Sequence, residues 1–329
     1  MNNYLRRWAT AFVLLGTIGV GLQYPLSSII LAQIVMHLGI FEYRQIAKNI
    51  VTPAIPSVVE LRKSVFNKTK KEAGVNVEYI LEYNIHFQCG WLLATIYFFL
   101  GEHERPLIIL YPLFILSILF TFILKIFSMT SMAGDIRDRK DTKWNLLVQA
   151  TLFEICLEVI GITLFGLCFC FYGILYYKYP VLIFIGLCLV FQTDHGALIF
   201  GSKFGRTPIN GFYYNKTVEG CLGGIFFCIL NGLMMKIEAD YLTKFIYPSY
   251  LSFQDYLCLG LGVGILSILG DLLESFLKRC AGVKDSGKLL PGHGGIFDRI
   301  DSVLMAAPFL LYYFEIYSEI LNEQLAGVE

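Results

Sequence analysis

The chain has 329 residues, of which 56% are apolar and only 16% are charged, and its formal net charge is zero. Soluble globular domains carry charge on nearer a quarter of their residues, so the composition excludes an ordinary soluble domain and favours an integral membrane protein. The neutral balance gives no electrostatic reason to expect a nucleic-acid partner.

The apolar residues form long blocks, which is typical of helices that satisfy their backbone hydrogen bonds inside lipid. We therefore predict an all-α integral membrane protein, a polytopic bundle of about nine transmembrane helices with roughly 20 residues per crossing. The stretch 145–173 leaves open two short spans in place of one. In chain order the predicted spans are 8–23, 26–41, 86–100, 107–127, 145–173, 180–199, 219–236, 254–273 and 302–321.

The basic residues are distributed unevenly between the two sides of this predicted bundle. With the N-terminus placed in the cytoplasm, 21 of the 26 Lys and Arg residues fall on the cytoplasmic side. Positive charge is favoured on that side, and an odd number of spans then places the C-terminus outside. The predicted cytoplasmic loops are 42–85, 128–144, 200–218 and 274–301.

The last of these loops concentrates polar chemistry in an otherwise apolar chain. Lysine and arginine supply hydrogen-bond donors for phosphate oxygens, and Asp298 and Asp301 are oxygen ligands of the kind that magnesium prefers. The glycines at 292, 294 and 295 allow the backbone to approach a ligand closely. An ordinary solvated loop between two spans is the alternative.

The segment Ser275–Asp301 reads SFLKRCAGVKDSGKLLPGHGGIFDRID and resembles the signature of the phosphatidate cytidylyltransferases, also called CDP-diacylglycerol synthases. Every specified position of that pattern is present, in order and at the family spacing. The resemblance implies transfer of a cytidylyl group from CTP to phosphatidate, with release of pyrophosphate. It implies Mg²⁺ as cofactor, leaves open a second, monovalent cation, and implies a homodimer among membrane lipids. The expected location is the cell inner membrane, or the endoplasmic reticulum of a eukaryote, with the active site facing the cytoplasm.

A second stretch, from Asp194 to Gly224, is similar to another conserved part of that family. The core residues Lys216, Thr217, Glu219 and Gly220 match, followed by a glycine pair at 223 and 224. This chain departs from the pattern at four positions, which puts the geometry on the nucleobase side in doubt. His195 replaces a small hydroxyl residue, Tyr213 and Tyr214 replace Ser-Pro, and Val218 replaces Trp.

The resemblance assigns roles to residues of both stretches and of the step between them. Glu274 is expected to be a helix-end charge paired with Lys278 one turn later. The predicted catalytic residues are Asp271, Lys278, Arg279, His293 and Asp298. The predicted phosphate-binding residues are Asp194, Lys216, Thr217, Ser275, Lys284 and Arg299. The predicted metal ligands are Asp271, Asp298 and Asp301.

Three regions follow from this assignment, and three rival functions stay open. Residues 1–100 hold the first helices, 101–200 the middle helices with a dimer interface, and 201–329 the catalytic region. The rivals are a CTP-dependent polyprenol kinase, an archaeal-lipid cytidylyltransferase and, from a different class, a transporter. In the transporter, an ion path would be lined by Asp194, Asp271 and the intramembrane carboxylates Glu154 and Glu158.

Overall fold

The computed structural model describes residues 25–54, 88, 92, 106–133, 142–209, 216–241, 251–291 and 294–326. Every named element among them is helical. The predicted span 8–23 lies outside these residues, and only Gln88 and Leu92 of the span 86–100 lie within them. The helices are α1 (Pro25–Ala54), α2 (Pro106–Ala133), α3 (Thr142–Gly161), α4 (Phe169–Lys178), α5 (Pro180–Phe204), α6 (Val218–Tyr241), α7 (Phe253–Cys280) and α8 (Phe297–Ala326).

Six helical segments in the described part of the chain are long and apolar enough to cross a membrane. The protein is therefore a multi-pass integral membrane protein with an all-helical fold, as predicted. The count of nine spans stays a prediction. The six segments are Pro106–Phe127, Trp144–Lys178, Pro180–Phe204, Val218–Tyr241, Phe253–Cys280 and Phe297–Tyr317.

The stretch predicted as 145–173 forms one continuous helical segment. A π-helical run, Ile162–Cys168, joins α3 directly to α4 without an intervening loop. The wider π turn keeps the backbone hydrogen-bonded, so no polar backbone groups are released to lipid at this point.

Helices extend beyond the predicted apolar spans into segments that were predicted as cytoplasmic loops. Residues 42–54 belong to α1, and the segment 274–301 contains the end of α7 and the start of α8. Hydropathy marks the length of helix that contacts lipid, whereas the helix itself continues into the polar region. Only residues 281–296 separate α7 from α8.

The chain forms two compact units. The first contains Met1–Leu167 and Cys280–Phe297, and the second contains Cys168–Arg279 and Asp298–Glu329. In the first unit, Lys125 of α2 forms ion pairs with Glu154 and Glu158 of α3, at 3.1 and 2.7 Å. These contacts partner the two intramembrane carboxylates within the protein.

In the second unit, α5 and α6 pack closely through glycines. A Cβ atom at Gly196 would lie 2.5 Å from the Cβ of Phe227, and one at Gly223 would overlap the side chain of Phe200. Such short distances leave no room for a larger residue. This packing places the polar C-terminal part of α5, with Asp194, beside the start of α6.

Candidate active site

Three carboxylates of the second unit converge where α7 meets α8. Each of Asp271, Glu274 and Asp301 offers one oxygen, and these oxygens all lie within 4.8 Å of one another. Asp271 and Glu274 are three residues apart and so share one face of α7. Asp301 joins them because α8 lies against Gly270, where a Cβ atom would be 2.6 Å from the carbonyl oxygen of Asp301.

Two lysines form ion pairs with this carboxylate cluster. Lys216 Nζ, just before α6, contacts the carboxylate of Asp271 at 2.6 Å and donates to its carbonyl oxygen at 3.0 Å. Lys278 Nζ contacts Glu274 at 2.5 Å and Asp298 at 2.6 Å. The predicted pairing of Glu274 with Lys278 is present. Both lysines therefore lie within a site that is rich in negative charge.

Asp194 and Arg299 extend the cluster. Asp194 interacts electrostatically with Asp271, Lys216 and Arg299, and Asp301 interacts with Asp194, Asp271 and Lys278. Among the described residues, five carboxylates thus lie with three Lys and Arg side chains, and His195 also interacts with Asp194. The five are Asp194, Asp271, Glu274, Asp298 and Asp301, and the three are Lys216, Lys278 and Arg299.

The residues of this cluster fit a divalent metal ion. Glu274 is 1% exposed, and its Oε1 atom is buried without a hydrogen-bond partner. An unpartnered buried carboxylate oxygen is costly unless a cation or donor reaches it. Carboxylate oxygens are the ligands that Mg²⁺ takes.

Thr217, predicted to bind phosphate, acts as the N-cap of α6. Its Oγ1 atom accepts a hydrogen bond from the backbone N–H of Gly220 at 3.1 Å. This is the usual role of threonine at a helix start. Nearby, the Glu219 carboxylate accepts hydrogen bonds from the hydroxyl and N–H of Thr207 and the N–H of Arg206. These bonds fix the connection between α5 and α6.

The remaining predicted residues are distributed over both units. Ser275 is buried in α7, and Arg299 is exposed at the start of α8. Lys284 belongs to the first unit, where it is exposed in the loop after α7. His293 lies outside the described residues.

The sequence interpretation treated Glu274 as a helix-end charge paired with Lys278, and it named Asp271, Asp298 and Asp301 as the metal ligands. In the structure the third carboxylate beside Asp271 and Asp301 is Glu274, while Asp298 contacts Lys278. The signal for Glu274 was the i,i+3 spacing from Asp271 at the end of an apolar helix.

Comparisons with known proteins identify the family to which the chain belongs. Residues 5–317 match the model of the cytidylyltransferase family. The phosphatidate cytidylyltransferase of Synechocystis sp. is 44% identical over 138 residues, which cover 42% of this chain and 44% of that protein. The phosphatidate cytidylyltransferase of Bacillus subtilis is 37% identical over 148 residues, covering 45% of this chain and 50% of that protein.

A third relative is the phosphatidate cytidylyltransferase of Thermotoga maritima. It is 38% identical over 130 residues, which cover 39% of this chain and 47% of that protein. The chain thus spans about half the length of the curated relatives that it matches. The family model, in contrast, matches nearly the whole chain, and on that extent this chain belongs to the cytidylyltransferase family.

Proposed function

We propose that this protein is a CTP:phosphatidate cytidylyltransferase. A phosphate oxygen of phosphatidate attacks the α phosphorus of CTP, and the bond from that phosphorus to the β-bridging oxygen breaks. The products are CDP-diacylglycerol and pyrophosphate. The observation that carries the proposal is the cluster of Asp271, Glu274 and Asp301 flanked by Lys216 and Lys278, in a chain of this family.

Such a reaction requires positioning and charge neutralisation more than covalent chemistry by the protein. Lys216 and Lys278 place fixed positive charge beside the carboxylates, where phosphate oxygens need hydrogen-bond donors. Arg299 is exposed beside them and presents a planar fork that suits a phosphate. Two further predicted phosphate ligands, Lys284 and His293, rest on the family resemblance.

Asp271, Glu274 and Asp301 would hold Mg²⁺, and Asp298 stays a predicted ligand. When bound, Mg²⁺ neutralises phosphate charge and stabilises the leaving pyrophosphate. Ion pairs hold two of these carboxylates in place: Lys216 pairs with Asp271, and Lys278 pairs with Glu274. Burial of Glu274 and Asp301 excludes water from their side of the site.

The substrates of the proposed reaction come from two phases, because CTP is soluble and phosphatidate is embedded in the bilayer. The carboxylates lie near the ends of spanning helices, Asp271 and Glu274 in the last turns of α7 and Asp301 in the second turn of α8. A site at such a depth suits a lipid phosphate at the interface. We propose that this end faces the cytoplasm, from the distribution of basic residues. The homodimer stays a prediction.

Two radioactive forms of CTP test the reaction with purified protein, phosphatidate and Mg²⁺. Label at the α phosphate should enter the lipid, whereas label at the γ phosphate should leave as pyrophosphate. The Asp271→Asn variant should abolish most of both signals. The matched control is Asp255→Asn, which changes a carboxylate at the opposite end of the same helix, bonded to Ser252 and Tyr313.

The rivals give different results in the same experiment. A polyprenol kinase would transfer the γ label to a lipid alcohol and release CDP. An archaeal-lipid cytidylyltransferase would transfer the α label only when an unsaturated ether-lipid phosphate replaces phosphatidate. A transporter would transfer neither label. Any of these three outcomes contradicts the proposal.

A further inference from the structure

The loop between α7 and α8 closes on a buried carboxylate of α1. In the first unit, Glu42 Oε2 accepts hydrogen bonds from the hydroxyl of Ser286 and from the backbone N–H of Phe297, both at 2.9 Å. Glu42 is only 2% exposed and Ser286 only 7%. One oxygen atom of Glu42 therefore accepts hydrogen bonds from Ser286 and Phe297, which flank the glycine-rich part of the loop in sequence.

Two glycines show how closely the loop backbone surrounds this carboxylate. A Cβ atom at Gly287 would lie 2.6 Å from Glu42 Cδ, and one at Gly295 would lie 2.7 Å from the same atom. Each would overlap a carboxylate oxygen as well. At both positions any larger residue would displace either the loop or Glu42, so the loop conformation and the carboxylate depend on each other.

Helix α1, which carries Glu42, is fixed by contacts of the neighbouring residue Tyr43. The hydroxyl of the next residue, Tyr43, donates a hydrogen bond to the carbonyl oxygen of Leu157. The Tyr43 ring packs with Phe165 and Phe297, with ring centroids 5.7 and 5.9 Å away. The Tyr43–Phe297 pair is edge-to-face and the Tyr43–Phe165 pair is tilted, and such packing restricts the orientation of the rings. Glu42 is thus a fixed point to which the loop is attached.

We propose that Glu42 is a positioning residue for the reaction, because it fixes Ser286 and Gly287 in the loop that also carries the predicted phosphate ligand Lys284. Ser286 is buried, and Lys284, two residues earlier, is exposed. The role rests on the proposed function, since the phosphate concerned is that of CTP or phosphatidate. The carboxylate acts through the loop and does not touch substrate.

Substitutions at Glu42 separate the effect of the position of its oxygen atoms from the effect of its negative charge. Both hydrogen bonds end on the same oxygen, so the amide oxygen of Glu42→Gln can accept both, whereas Glu42→Asp is one methylene too short. We expect Glu42→Ala and Glu42→Asp to lower kcat/KM for CTP on the order of tenfold or more, and Glu42→Gln to stay near the wild-type value. The proposal is overturned if Glu42→Gln loses as much activity as Glu42→Ala. It is also overturned if the loss of activity in each variant equals its loss of folded protein.

A double-mutant cycle tests the contact directly. Gly287→Ala should impair the wild-type enzyme, because the new methyl group overlaps the Glu42 carboxylate. In the Glu42→Ala background that carboxylate is gone, so the same change should have a much smaller further effect. Equal effects in both backgrounds would show that Glu42 and the loop are not coupled, which contradicts the proposal.

Limited trypsin digestion gives a readout that does not depend on catalysis. Lys288 in the loop and Lys203 at the end of α5 are both exposed. Glu42→Ala should speed cleavage after Lys288 while cleavage after Lys203 keeps its rate. Glu154→Gln, which changes a buried carboxylate paired with Lys125, should leave both rates unchanged.

The two failures can be told apart. An unchanged rate of cleavage after Lys288 in Glu42→Ala overturns the anchoring role, whatever the enzyme does. Faster cleavage in that variant, with no cytidylyl transfer by the wild-type protein, refutes the proposed function and leaves the anchor of the loop intact.

Discussion

Gly270 lies directly beneath the carboxylate cluster, and adding one methyl group there should disable the site. The Cβ atom of Gly270→Ala would lie 2.6 Å from the carbonyl oxygen of Asp301 and 3.1 Å from Met305 Cγ. The first of these contacts is to backbone, so rotation of a side chain does not relieve it. Helices α7 and α8 must instead separate by about 0.8 Å to restore an ordinary contact of about 3.4 Å.

This displacement acts directly on the proposed metal ligands. Asp271 and Glu274 stand on α7 and Asp301 stands on α8, so a separation of the two helices opens the triad. A misplacement of about 1 Å can lower a rate on the order of a hundredfold, and overpacking costs about 1–3 kcal/mol of stability. We expect kcat to fall by that factor and the Mg²⁺ concentration for half-maximal activity to rise.

The control is Gly262→Ala, on the same helix two turns earlier. Its methyl group would meet the ring of Phe309, a side chain of α8, rather than backbone. We expect this variant to lose stability and keep its Mg²⁺ dependence. Steady-state rates against Mg²⁺ concentration, with thermal unfolding in detergent, make the comparison. If Gly270→Ala keeps its kcat and Mg²⁺ dependence, the triad is not the metal site.

Three further predictions concern metal, phosphate and topology. Asp271→Asn and Asp298→Asn should each lower kcat on the order of a hundredfold in the CTP assay; normal turnover in either variant removes that residue from the site. Arg279→Lys should raise KM or lower kcat because the planar fork is lost, and unchanged constants would make it a solvated residue. In a cysteine-depleted background, Asp285→Cys should be labelled only from the cytoplasm and Gly327→Cys only from outside; labelling of both from one side means that the span count is wrong.

The class of protein could be predicted from the sequence, and so could the placing of Asp271 and Glu274 on one face of a helix. Long apolar blocks are enough to indicate spanning helices, because lipid imposes one structural solution on such blocks. The spacing of Asp271 and Glu274 likewise places both carboxylates on one face of a helix. These inferences use only short-range relations along the chain.

Relations between distant residues could not be predicted in the same way. That Glu274 lies with Asp271 and Asp301 depends on how α7 packs on α8 at Gly270. The anchoring of Ser286 by Glu42 joins residues far apart in sequence, and hydropathy placed Glu42 at the start of a loop although it is a buried residue of α1. The partner of Glu154 and Glu158 is Lys125, on another helix.

Two clusters of charge within the helices differ in how their carboxylates are balanced by basic groups. Lys125 contacts Glu154 and Glu158, and Arg44 interacts with Glu158, so two cations balance two carboxylates. A balanced cluster of this kind joins helices and needs nothing from outside.

The cluster around Asp271 has the opposite character. Among the described residues it holds more carboxylates than Lys and Arg side chains, and Glu274 keeps a buried oxygen without a hydrogen-bond partner. Burial of uncompensated charge is costly, so such a cluster persists when a bound ligand supplies the missing positive charge. This imbalance argues for catalysis at Asp271. The balance at Glu154 argues against the ion path that a transporter would require.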